Sequence, residues 1–346
     1  MLTLFGVVTV IFYLFNILPG DPAQMMLGQN EDSEQIAAVK AKYGFDKPLS
    51  TQYLYYLNDL SPLSFHSTNK EDYTFLEAGK YSASKLFTIG HTTTVLKFPY
   101  LRESFTKQGK KVSQIIGETL PNTAVLAVSS IAIAIVLGVV FGILSALYKD
   151  TWIDKCIQVF STLGMSVPSF FSAILFAWFF GFVLHEYTNL EMTGSLYELD
   201  DYGENLTVKW KNLILPAFVL GIRPLAVVIQ LMRNSLLEVF NQDYIRTARA
   251  KGLSGFQIIK KHALKNALNP VVTAISGWFA SMLAGAVFVE YIFGWNGLGK
   301  EIVNALNTLD LPVIMGSVLI IAVLFIIINI FVDVIYSWLD PKVKLE

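Results

Sequence analysis

A single cysteine, Cys156, in 346 residues rules out an intrachain disulfide framework and any multi-cysteine metal site. With Lys149 and Lys155 beside it, Cys156 is expected in a short cytoplasmic loop, reduced. Charge is scarce as well. Only 15% of residues are charged against 53% hydrophobic, and a mean hydropathy of +0.51 moves the chain from the soluble to the membrane class. The formal net charge of -1 then says little, because where the charges sit matters more than their sum.

Complete catalytic signatures are missing too. His185-Glu186 begins a zinc-protease pattern, yet Asn189 stands where the second histidine belongs, and only His66, His91 and His262 remain elsewhere. No G-x-S-x-G element occurs, and no pair of intramembrane aspartates suggests proteolysis in a bilayer. Gly294-Trp-Asn-Gly-Leu-Gly-Lys300-Glu301 approaches the phosphate-binding pattern, but it ends in an acid where a hydroxyl is needed for magnesium, and no strand precedes it. A glycine-rich external turn is the better reading. Asp333 is the one acid clearly inside an apolar run. Such a charge is a functional candidate by default, although Tyr336 and Trp338 beside it fit an interfacial structural role equally.

What is present is apolar length. Six runs approach the roughly 20 residues that a bilayer core requires: Leu2–Leu18, Thr123–Tyr148, Ile157–Leu184, Leu213–Met232, Val271–Val289 and Val313–Trp338. The first has no basic residue before it and is followed by Leu-Pro-Gly-Asp-Pro-Ala rather than a small-x-small site, so it is not read as a cleaved signal peptide; a basic lead before Met1 is expected. Pro168 and Pro224 each remove an intrahelical hydrogen bond and should kink their helices. Gly138, Gly142 and Ala146, and again Gly277, Ser281 and Gly285, recur every four residues and read as packing seams.

Residues 233–270 interrupt this pattern. Arg233, Arg246, Arg249, Lys251, Lys260, Lys261 and Lys265 face only Glu238 and Asp243, an excess that places the segment in the cytoplasm. By alternation the acidic loop His185–Asn212 faces outward, both termini lie inside, and residues 19–121 form an extracytoplasmic insert with a helical pattern near Ser33–Tyr43. Within the basic segment, Asn234–Lys251 is helix-compatible and Gly252 is a natural stop. Ser254 with Gln257 forms a capping box that starts a second helix, with Phe256, Ile259 and His262 on one face, and Pro270 suits the first turn of the next helix. The product is a rigid elbow. Its basic residues could serve topology and anionic lipid, but Thr247, Ala248, Ala250 and Gly252 make a small-residue face suited to a close-fitting soluble partner.

The segment Gln242–Leu253, QDYIRTARAKGL, resembles the loop by which inner-membrane permeases of bacterial ABC importers dock on their ATPase, in the dipeptide/oligopeptide/nickel branch. Arg246-Thr247-Ala248 takes the place of the broader family's Glu-Ala-Ala, with Gly252 at the family glycine. Leu18–Ala23 looks like the family's segment just after the first span and Leu213–Phe218 like the opening of the fourth, while Glu290–Gly299 and the tail Leu339–Lys342 are similar to the branch's first, B-type, permease. The resemblance implies an all-α polytopic protein with about six transmembrane helices in a type I ABC importer permease fold. Its divisions would be a first helix at 1–18, the insert at 19–121, and a permease domain at 122–346 that includes the loop 233–270. It also implies the partners and the roles. These are a second homologous permease, two cytoplasmic ATPases that bind ATP and magnesium, an extracytoplasmic solute-binding protein and membrane lipid, with no nucleic acid and no cofactor on this chain. The coupling residues would be Asp243, Tyr244, Arg246, Thr247, Ala248, Arg249, Ala250, Lys251, Gly252 and Leu253. Ser166, Ser169, Ser276 and Asn329 are candidates for the pathway, although serines in membrane helices more often bond to backbone. The solute would be a di- or oligopeptide, with nickel or another small solute as the alternative, in the inner membrane. A secondary transporter, which would call for buried coupling acids, is the rival from another class.

Overall fold

In a computed structural model of the chain, residues 2–16, 21–27, 32–70, 72–77, 79–200 and 202–339 are described. Helices α1 (Leu2–Asn16), α2 (Pro22–Leu27), α3 (Ser33–Tyr43) and α4 (Leu49–Leu60) precede three strands, β1 (Leu63–Ser67), β2 (Ala83–Ile89) and β3 (Thr92–Lys97). Then come α5 (Val112–Leu147), α6 (Trp152–Ser166), α7 (Ser169–Trp178), a π turn at Phe179–Val183, and α8 (His185–Thr188). A two-stranded hairpin, β4 (Tyr197–Leu199) and β5 (Leu206–Val208), leads to α9 (Lys211–Val239), α10 (Asp243–Ala250), α11 (Gly255–Ile258), a second π turn at Ile259–Ala263, and α12 (Leu264–Ala267). The chain closes with α13 (Asn269–Phe293), α14 (Leu298–Thr308) and α15 (Leu311–Leu339). Part of the Leu18–Ala23 segment, most of the Leu339–Lys342 tail, and the side chains of Gly285 and Asp333 lie outside the described residues.

Among the described residues, α5, α9 and α15 are long and apolar enough to cross a membrane, and α6 with α7 passes as a bent pair. That pair corrects the expected single run Ile157–Leu184. Pro168 does not merely kink the helix; it caps a break at Val167-Pro168 across which the axes turn by 112°. Pro224 behaves differently, since α9 runs unbroken through both Pro216 and Pro224. Cys156 lies exposed in α6, not in a loop.

Two compact units divide the chain: residues 1–118 with 301–323, and residues 119–300 with 324–346. The first corrects the all-α expectation. Its sheet runs β1-β3-β2, all antiparallel, with Ser64 opposite Val95 and Phe65 opposite Thr94. Thr92-Thr-Thr-Val-Leu-Lys97 is β-branched and short, which favours a pleated strand over a helix. Beneath the sheet, buried Asp59 accepts from Arg102 Nε at 2.9 Å, Tyr73 Oη at 3.0 Å and Tyr81 Oη at 3.2 Å. Arg102 takes a left-handed φ of 68°, a strain that this ion pair helps to hold. Asp310, also buried, closes the unit from the far end of the sequence: it accepts from Phe105 N at 3.1 Å, Thr106 N at 3.2 Å and Thr106 Oγ1 at 2.8 Å, and from Ser104 Oγ. Phe12, Tyr56, Met315 and Leu319 fill the core of the same unit.

In the second unit α9 is the hub, packing on α6, α7, α12 and α13. The first glycine seam has the expected purpose. A Cβ on Gly138 would meet Val228 Cγ1 at 2.5 Å, and one on Gly142 would meet Met232 Cβ at 2.6 Å, so α5 lies against α9 at a distance only glycine allows. The second seam differs, because a Cβ on Gly277 would meet nothing within 4 Å.

Replacing Asp59 with alanine leaves Arg102 as an uncompensated charge and should destabilise the first unit by about 3–5 kcal/mol, read as faster amide exchange across 83–97 in the intact protein. Burial also holds the Lys97 ammonium down to about 8, against an attraction from Asp59 that raises it. A folded-state value below the free lysine value of about 10.4 means the folded state releases this proton first. Stability of the unit should therefore rise with pH between about 8 and 10.4, with Lys97→Met removing that slope.

Candidate functional site

Helix α9 does not stop where the apolar run ends. It continues past Arg233 to Val239, turns through Phe240–Gln242, and restarts as α10, so the segment 233–270 is a loop only from its eighth residue onward. Arg233 itself is not a solvated loop charge. Its Nε and Nη2 donate to Asp154 at 2.8 and 2.7 Å, and Asp154 also accepts from Ser145 Oγ and from Asp150 N at 3.0 Å. One carboxylate thereby ties α5, α6, the turn between them and α9 into a single knot.

Beyond the knot the elbow follows its sequence closely. Helix α10 ends at Ala250, and Gly252 takes φ +76°, a left-handed value that only glycine adopts without strain. Both bonds of the capping box form, Gln257 N to Ser254 Oγ at 3.4 Å and Ser254 N to Gln257 Oε1 at 3.1 Å. The π turn at Ile259–Ala263 then shifts the helical register, so Phe256, Ile259 and His262 do not bury together. Ile258, Ala263 and Ala267 turn inward instead, and Phe256 stands 73% exposed. Ala248 also leaves the expected small-residue face: with Ile245 it joins the buried cluster that includes Leu236, Val239 and Val271. Asp243, Tyr244, Arg246, Thr247, Arg249, Ala250, Lys251 and Gly252 remain on the surface, and Leu253 is half-buried against the cluster. Tyr244 is fixed by a 2.8 Å bond from Asn266 Nδ2 to its hydroxyl. The elbow is thus one hydrophobic core with the ends of α9 and α13, carrying a polar, mostly basic outer surface.

The pathway candidates do not come together. Ser166 Oγ donates to Thr162 O at 2.8 Å, Ser276 Oγ to Val272 O at 2.9 Å, and Asn329 Nδ2 to Phe325 O at 2.8 Å, each one turn back on its own helix. Ser169 is placed differently. At the first turn of α7, just after the Pro168 break, it lines a cleft of about 290 Å³ with Ser172, Arg223, Trp278, Ser281 and Met282. Arg223 escaped the sequence reading, although a lone basic residue in the middle of Leu213–Met232 is itself a signal.

The phosphate-loop mimic is filled from within. Gly299 N and Lys300 N donate to Glu290 Oε2 at 2.7 and 3.2 Å, and a Cβ on Gly297 would meet that carboxylate at 2.4 Å. Lys300 Nζ is bound to Gly294 O and Asn296 Oδ1 at 3.0 and 2.9 Å. The glycines therefore seat a buried glutamate and leave no room for a phosphate. His185 Nδ1 is paired with Leu190 O at 2.7 Å, and no cluster of three metal-ligating side chains occurs among the described residues.

Long apolar helices, one broken at mid-length, with a polar elbow built into their core, define a polytopic membrane protein. The chain belongs to the family of binding-protein-dependent transport system inner membrane components, which matches residues 138–345, with the family's N-terminal component matching 1–127. It is 34% identical over 343 residues to a putative peptide permease protein of Brucella suis, covering 99% of this chain and 95% of that one. It is 32% identical to the dipeptide transport system permease protein DppB of Alkalihalophilus pseudofirmus, covering 99% and 95%, and 32% identical to DppB of Bacillus subtilis, covering 99% and 94%. An inward-facing structure of the MetNI methionine ABC transporter shares the fold at TM-score 0.52 and 16% identity, over 66% of this chain and 97% of that one.

Asp154→Ala should lower stability by about 3–5 kcal/mol because it strands a half-buried arginine, while the double change Asp154→Leu with Arg233→Met should recover most of that loss. Thermal unfolding of the detergent-solubilised protein measures both.

Proposed function

We propose that this chain is the permease subunit of a binding-protein-dependent ABC importer and forms half of the path for ATP-driven uptake of di- and oligopeptides. The relatives named as peptide and dipeptide permeases, matched over nearly their full length, support the solute class. Six spans with both termini in the cytoplasm follow if α1, α5, the α6–α7 pair, α9, α13 and α15 each cross once. Hydrolysis belongs to two separate ATPase subunits that carry ATP and magnesium, solute delivery to an extracytoplasmic binding protein, and the other half of the path to a second homologous permease.

The single observation that carries this reading is the elbow. A soluble partner pressing on Asp243–Leu253 would push on a helix whose inner face, Ile245 and Ala248, is already part of the core shared by α9 and α13. Closure of an ATPase dimer would be passed to the spans as a rigid-body movement, without a flexible tether to absorb it.

Gly252→Val tests the claim. A Cβ there meets nothing within 4 Å, so the cost is confined to backbone conformation, about 1–2 kcal/mol, or about tenfold in an equilibrium. Co-purification of the ATPases and peptide uptake should both fall by about that factor at normal membrane insertion, and charge reversal at Arg249 and Lys251 should do the same. Unchanged co-purification and uptake in both variants would remove the docking claim. Uptake of nickel in place of peptide by the intact complex would replace the solute.

A further inference from the structure

Arg223 is the charge that packing leaves unexplained. It lies about 15 Å along α9 from Leu213 and about 14 Å from Met232, at 1.5 Å per residue, so it falls near the centre of that apolar run. Ten residues on, Arg233 of the same helix is fully engaged by Asp154, whereas Arg223 has no hydrogen-bond or ion-pair partner among the described residues. It is exposed to the cleft that the Pro168 break opens beside α7, α9 and α13. Among the described lining residues it is the sole charge, set among the hydroxyls of Ser169, Ser172 and Ser281, with Trp278 and Met282 as apolar wall.

We propose that Arg223 is a binding residue of the translocation path that receives the terminal carboxylate of the peptide in transit. The proposal rests on the peptide-permease reading above. Its chemistry is specific: a guanidinium offers two parallel donors to a carboxylate, and in a site poor in water that pairing is strong enough to select an anion. Ser169 and Ser172 supply the remaining hydroxyl donors, whereas Ser281 Oγ donates to Gly277 O at 3.5 Å, and the first turn of α7 turns its positive end to the same cleft. The apolar wall accepts side chains without preference, which suits a solute whose constant parts are its backbone and its termini. A lone arginine here draws in a carboxylate without a second charge to lock it in place, as passage requires.

The test uses the complete importer, two permeases, ATPases and binding protein, reconstituted in proteoliposomes. Uptake of a tripeptide with a free C-terminus is compared with uptake of its C-terminal amide, both at concentrations that saturate the binding protein. Dividing each variant's rate by the wild-type rate for the same peptide cancels the binding protein's own preference. Arg223→Gln should lower the free-acid rate by at least about tenfold and the amide rate by less than about twofold, while Arg223→Lys keeps most of the free-acid rate. Arg223→His, charged near pH 6 and neutral near pH 8, should show a free-acid to amide ratio that falls as pH rises. Equal losses for both peptides would assign Arg223 to a structural ion pair with the second permease, and no loss for either, or a flat ratio in Arg223→His, would also overturn the proposal. A wild-type complex that takes up neither peptide would instead overturn the peptide reading itself.

Discussion

The second unit is organised around the Asp154 carboxylate. Buried at the end of the bundle that leads to the elbow, it holds Arg233 of α9, Ser145 of α5 and the amide of Asp150, whose φ of 63° is a left-handed value that this hydrogen bond helps to hold. A buried ion pair adds little net stability over a well-packed apolar substitute, yet it tolerates no loss of one partner. Its effect is therefore geometric: it fixes which turn of α9 faces α6, and so the direction in which α9 leaves the bundle. Everything beyond, the turn at Phe240–Gln242, α10 and the Gly252 reversal, inherits that direction.

The elbow's own core makes the inheritance mechanical. Leu236 and Val239 from α9, Ile245 and Ala248 from α10, Ile258 from α11 and Val271 from α13 form one buried cluster. A close-packed interior transmits displacement because it has no voids to take it up. In the proposed importer, this is why a short polar surface would suffice to move two spans at once.

The features legible in the sequence were local and periodic. Long apolar runs marked α5, α9 and α15, Ser33–Tyr43 formed as its pattern indicated, and Gly252 with the Ser254–Gln257 box set the elbow because each acts within one turn of chain. The hidden features depended on partners far apart in sequence. Arg233 counted as a loop charge until Asp154, 79 residues earlier, was placed beside it, and Ala248 counted as surface until the π turn brought Ala263 and Ala267 round to it. The sheet was missed for a different reason: three short strands carry exposed apolar residues such as Phe65, Phe87 and Ile89 on one side, which blurs the alternation that marks a half-buried strand. Arg223 stood in the sequence as a lone charge in an apolar run, but its lack of a partner among the described residues and its place in the cleft depend on α7 and α13, far off in the chain.

The central claim is that the outer surface of Asp243–Leu253 bears on an ATPase and moves with it. Site-directed cross-linking measures this most directly, in a Cys156→Ser background because Cys156 is exposed. A cysteine placed at Arg249 or Ala250 should form a disulfide with a cysteine on the ATPase surface, at a rate that changes between the nucleotide-free and ATP-bound complex. A cysteine at Phe256, also exposed but on the far side of the glycine turn, should cross-link less. Failure of Arg249 and Ala250 to cross-link in either state, in a complex that still transports, would contradict the account.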